Sequence, residues 1–195
     1  MKKNFRPLYL SLAFAFALAS CGTQKMVSTQ VDNIDNLPLN VTPLAEKDLQ
    51  RWSHLDLVKD TVPGMSVDKA YKELIKGKKG VKVIVGIVDS GVDVNHEDLK
   101  AVIWTNKKEI PGNGIDDDNN GYIDDINGWD FVNSDNTVYD SGPLDLHGTY
   151  VAGIIAASAD SKGITGVAPS VKILPLKFIN GNWGYTCDAI DAIEY

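Results

Sequence analysis

"VKVIVGIVDSG", residues 81–91, is a continuous apolar and mostly β-branched run that halts on an aspartate, a serine and a glycine. Lacking polar alternation, it reads as a central strand buried on both faces. Downstream, "LDLHGTYVAGIIAA" (144–157) predicts a helix over 147–158 that is apolar on nearly every face and therefore buried. "VKILPLKFI" (171–179) predicts a second strand, in which Pro175 fits only at a bulge or an unpaired edge position. "GYTCDAIDAIEY" (184–195) predicts a helix from about Thr186, with Ala189, Ile190, Ala192 and Ile193 as its apolar face. The order strand, helix, strand, helix specifies an α/β unit with a parallel sheet. Upstream, "SVDKAYKELIKG" (66–77) predicts a short helix opened by Ser66 and closed by Gly77. Residues 105–145 are acidic and read as loops.

The 195 residues are 44% hydrophobic and 23% charged with 17 glycines, an ordinary globular composition. Net charge is −7 and no basic stripe is present, which argues against a nucleic-acid partner. The chain begins differently from the rest. Lys2, Lys3 and Arg6 precede the largely apolar "LYLSLAFAFALA" (8–19), too short for a stable membrane span but suited to an export signal. That stretch ends in "LASC" (18–21), which resembles the bacterial lipobox: cleavage before Cys21 would leave that cysteine to carry lipid. A plain signal peptide cut at a small-residue site is the alternative. The lipobox reading gives a signal peptide over 1–20, a tether and N-terminal extension over 21–64, and a folded domain over 65–195. It places the mature protein in the bacterial cell envelope, exported and held to a membrane by its lipid. With Cys21 lipidated, Cys187 has no partner for an intrachain disulfide, and it reads as a small buried residue opening a helix.

Two positions carry chemistry. Asp89 ends the buried strand, at the edge of an α/β sheet where loops part and sites assemble. Taken alone it could equally cap a turn with Ser90 and Gly91. His147 heads the buried helix, where the helix dipole opposes protonation and favours a ring able to accept a proton. Alone it could be a satisfied core histidine. Together the two are part of a nucleophile–base–orienter arrangement. Gly148 and Gly153 lower helix propensity and suggest close approach of other backbone. Asp145, two residues before His147, is a rival orienter that reads as a solvated loop residue.

"VIVGIVDSGVDVNHEDL" (83–99), "HGTYVAGIIAA" (147–157) and "GVAP" (166–169) resemble, in order, the aspartate and histidine signatures and the following segment of subtilisin-like serine proteases. The similarity covers about residues 65–195. It implies a subtilisin-like three-layer α/β fold with a parallel sheet, incomplete at the C-terminus. It also implies endopeptidase action on protein or peptide substrates, with Asp89 orienting His147 and His147 acting as base toward a serine. Tyr150 stands where the family usually has a second histidine, a change that bears on packing rather than mechanism. The family's Gly-Thr-Ser nucleophile motif does not occur in these residues, so they are expected to be inactive alone. The alternative is a calcium-stabilised surface lipoprotein that keeps the protease-like fold and binds without cleaving.

"GNGIDDDNNGYIDDINGWDF" (112–131) is the other informative stretch. Asp116, Asp118, Asn120, the backbone of Tyr122 and Asp124 follow the spacing of an EF-hand loop, with Gly121 at the sharp turn. Hard oxygen donors without histidine or cysteine favour calcium. A solvated Asx-turn loop is the other reading. The five carboxylates between Asp116 and Asp125, however, repel one another unless a cation intervenes. Asp98 and Asp160 fall where the family often ligates calcium, which suggests a second and weaker site.

Overall fold

In a computed structural model, whose described residues are 43–195 other than 79, 144, 161 and 162, the apolar run becomes strand β1 at Ile84–Asp89. The export signal and Cys21 lie outside the described residues. Strand β2 is the two-residue Trp129–Asp130, inside the stretch read as loop, and β3 is Lys172–Lys177. The helices are α1 (Glu46–Leu49), α2 (Leu57–Asp60), α3 (Val67–Ala70), α4 (Leu146–Ala156) and α5 (Thr186–Glu194). All three strands are parallel in the order β1-β3-β2, with Asp89 level with Lys177 and Lys177 level with Asp130.

Side-chain alternation along the strands builds three layers. Ile87 and Ile173 point to one face, into a core with Val92, Leu99, Ile103 and the α4 residues Ala152 and Ala156. Leu176 points to the other face, with Trp129, Phe131 and Ala192 of α5, while Val88 and Leu174 pack against this group. Helix, sheet and helix are thus stacked; β1 buries Ile87 but leaves Ile84 half exposed, and β3 carries its apolar residues between Lys172 and Lys177.

Pro175 lies in the central strand rather than at a bulge or an edge. The amides of Lys172 and Phe178 bond to Val83 and Asp89 on the β1 side, whereas Ile173 N–H donates to Val102 on the other side. Pro175 shares the parity of Ile173, so its missing donor falls in the gap before the β2 pairing starts at Leu176. Gly128 fills that gap at φ +118°, where a Cβ would overlap the Pro175 carbonyl oxygen.

Four sequence expectations change here. Residues 43–64, expected as tether, form α1, the short turn Trp52–His54 and α2, and they carry the buried His54 and Val62. The His54 Nε2–H donates to the Thr165 carbonyl at 2.9 Å, which pins this stretch to the segment after α4. Ser66 makes no side-chain cap. It sits at φ 58°, and α3 passes into one wide turn, Tyr71–Ile75, that ends at a left-handed Lys76. Cys187 is exposed, because α5 turns Ala192 rather than its first turn into the core. Helix α4 buries Gly148, Thr149, Ala152, Gly153 and Ala156 yet leaves Tyr150 and Ile154 exposed.

Candidate active site

Asp89 and His147 meet at the carboxyl end of the sheet. β1 delivers Asp89 at its last position, and the first turn of α4 delivers His147. Gly148 sets their approach: a Cβ there would overlap the Gly91 carbonyl oxygen and crowd the Asp89 side chain. Gly153, expected to play a similar part, faces only the Ile164 side chain. The His147 Nδ1 lies 2.8 Å from Asp89 Oδ1 and 2.9 Å from Oδ2. Both neighbours are carboxylate oxygens, so Nδ1 carries the hydrogen and the neutral ring keeps Nε2 as its open acceptor. Asp89 Oδ1 also accepts the Ser90 amide at 2.7 Å, which fixes the carboxylate independently of the ring. The His147 side chain is 72% exposed against 14% for Asp89, so the ring lies open above a shielded acid. It borders a cleft of about 460 Å³ lined also by Ser90, Leu146, Tyr150, Ile179 and Asn182.

Directly across from Asp89, the side chain of Lys177 is fully buried. Its ammonium lies 3.3 Å from Asp130 Oδ2 and 3.4 Å from Asp145 Oδ2, and it hydrogen-bonds Asp140. Burial alone would depress the Lys177 pKa, but the carboxylates of Asp140, Asp130 and Asp145 outweigh it and raise the value above that of an ordinary lysine. Asp145 is therefore not a solvated loop residue. It is buried, its Oδ2 accepts the Asp140 amide at 2.9 Å, and it serves Lys177 rather than His147. In the sequence this cluster shows only as a lysine at the far end of β3, a strand that also opens on Lys172.

The acidic insert also differs from the expected arrangement. Asp124 turns its carboxylate to the amides of Gly112, Asn113 and Gly114. Asn120 Oδ1 accepts the Tyr122 amide, and its Nδ2 donates to Asp125. Both are thus occupied within the loop, and Tyr122 packs its ring on Trp129 at 5.2 Å. The carboxylates that converge are Asp116, Asp118 and Glu109, the last from outside the EF-hand spacing. Glu109 is buried and accepts the amides of Asp118 and Asp124 through its two oxygens, both at 3.1 Å. The Asp98 carboxylate lies against Gly163.

Comparison with known proteins accords with this arrangement. The subtilase family is matched over residues 80–195. Subtilisin-like protease 1 of Plasmodium berghei is 45% identical over 96 residues, covering 48% of this chain and 16% of that protein. Subtilisin-like protease 1 of Plasmodium falciparum (isolate 3D7) is 40% identical over 127 residues, covering 64% of this chain and 18% of that protein. Subtilisin DY of Bacillus licheniformis is 34% identical over 131 residues, covering 67% of this chain and 38% of that protein. The chain belongs to the subtilase family. It spans well under half the length of these relatives.

Proposed function

We propose that the protein is a serine-type endopeptidase in which Asp89 and His147 are two members of an Asp-His-Ser triad. The contact of His147 Nδ1 with both Asp89 oxygens carries this reading. It fixes the tautomer that leaves Nε2 basic, and it sets a carboxylate against the imidazolium that forms once Nε2 takes a proton. A serine hydroxyl would give its proton to Nε2 as its oxygen attacks a peptide carbonyl. That proton would then pass to the leaving amine as the acyl-enzyme forms, and water would release the acyl group. The 195 residues contain no Gly-Thr-Ser, and no described serine hydrogen-bonds His147, so hydrolysis is proposed for the longer protein and not for these residues alone. A fluorophosphonate probe should label one serine of that longer protein, and His147→Ala should suppress the labelling. Asp89→Asn should lower kcat by about 10⁴ by fixing the wrong tautomer. An unlabelled full-length protein would overturn the reading and leave a binding protein.

The N-terminal sequence supports an envelope location, with lipid on Cys21 holding the protein to a membrane and proteins or peptides as substrates. Growth with a labelled fatty acid should mark the protein, and Cys21→Ser should abolish the mark. Label retained in that variant would remove the anchor.

A further inference from the structure

We propose that Lys177 and Asp145 are positioning residues for His147: the buried ammonium holds Asp145, and Asp145 fixes the first turn of α4, which sets the ring against Asp89. The catalytic meaning of this rests on the peptidase reading, whereas the geometry stands without it.

Asp145 occupies the N-cap of α4, two residues before His147. An aspartate there ordinarily accepts an amide of the first turn. Asp145 makes no such bond, and the Gly148 amide turns instead to Ser90 Oγ at 3.5 Å. The Asp145 side chain is 6% exposed, and its Oδ2 accepts the Asp140 amide at 2.9 Å and Lys177 Nζ at 3.4 Å. A cap bond would fix only the helix end upon itself. A bond to β3 fixes where that end lies relative to the sheet. His147 needs such a restraint from below, because its side chain is open to solvent and packing around the ring cannot hold it.

Lys177 suits the task by place and by valency. Its three ammonium hydrogens meet three carboxylates, those of Asp130, Asp140 and Asp145, and its side chain is wholly buried. It is the residue level with Asp89 in the sheet, and the amides of Phe178 and Ile179 that follow it donate to the Asp89 carbonyl at 2.9 and 3.3 Å. Its stem passes beside Gly91, where a Cβ would lie 3.5 Å from Lys177 Cδ, and Gly91 is the residue whose carbonyl Gly148 packs against. The end of β3 therefore holds the acid through its main chain and the base through one side chain.

A fluorophosphonate tests this on the full-length protein in two separable steps. The first is binding, measured by KI. The second is phosphonylation, measured by kinact, in which the serine oxygen displaces fluoride and its proton passes to His147. Asp145→Ala should lower kinact by about 10², the scale set by a displacement of about 1 Å at a reacting group, and leave KI unchanged. It should also broaden the downfield Nδ1 proton resonance of His147, which reports the bond to Asp89 whether or not the protein is a peptidase. Asp145→Asn still accepts from Lys177 and from the Asp140 amide, so it should restore both readouts. Asp140→Ala takes a different carboxylate from the same ammonium but leaves the helix entry held, so it should match the unaltered protein. If Asp145→Ala does not fold, Asp145→Glu replaces it: the charge still meets Lys177 while the extra methylene displaces the turn, so kinact should fall and the resonance broaden. The proposal is overturned if the resonance stays sharp in that variant, if the loss lies in KI rather than kinact, or if Asp140→Ala loses as much. Failure of Asp145→Asn to restore either readout overturns it equally. An unaltered protein that takes no probe removes the peptidase reading, and the resonance alone then decides the positioning.

Discussion

Asp56 shows how much one side chain does in the stretch before the sheet. Its Oδ1 accepts the amides of Val58 and Lys59 at 3.0 and 2.8 Å, capping α2, and its Oδ2 lies 3.3 Å from Lys69. The Lys59 amide, then the Ser66 side chain, then Lys69 lower its pKa to about 2, against the opposing pull of burial. A depressed carboxylate stabilises the fold above its unfolded pKa near 3.8, and that contribution fades as pH falls toward about 2. Urea unfolding of the chain should therefore lose stability between pH 4 and pH 2 more steeply than unfolding of Asp56→Asn. Asparagine still caps but cannot titrate. Parallel pH profiles would refute this role. The same scale separates what was readable in sequence from what was not. Asp89 and His147 stood out because each lies in a long local motif, and the structure brings them into contact. Glu109 was hidden because its partners are fixed by the folding of a loop seven to nine residues away, outside any spacing pattern.

Among the elements, β1, β3, α4 and α5 follow from hydrophobic patterning, although of the apolar face expected for α5 only Ala192 is buried and Ile190 and Ile193 are exposed. β2 has two residues and no period to detect, so it exists only because β3 offers a free edge beyond Pro175. The short turns of 43–64 likewise lack an amphipathic repeat, and tertiary contacts such as His54 with Thr165 hold them. Pro175 shows why a local rule gave a partial answer. The objection to proline in a central strand concerns a missing donor, and whether that donor is needed depends on the neighbouring strand, which the proline's own sequence does not contain.

For the molecule as a whole, Lys177 joins three pieces: β2 through Asp130, the loop through Asp140, and the entry to α4 through Asp145. Lys177→Met would leave Asp130 and Asp145 buried without a cation, a loss of about 3–5 kcal/mol by analogy with buried pairs stripped of one partner. Urea denaturation of the chain measures it, and a cost within error of zero would show that the cluster is not an ionic tie. The pH dependence has a fixed sign. A raised lysine pKa gives stability that is complete below the ordinary value of 10.5 and is lost as pH climbs through the raised one. The unaltered chain should thus weaken on the alkaline side along a limb that Lys177→Met lacks.

The bond from His54 to Thr165 spans 111 positions of sequence. During synthesis the amino-terminal stretch emerges long before the segment that will hold it, and β1 likewise precedes β3, its partner in the sheet. Neither contact can offset the entropy of closing so long a loop until most of the chain has appeared. The amino-terminal stretch and β1 therefore gain these partners only after Thr165 and β3 have emerged.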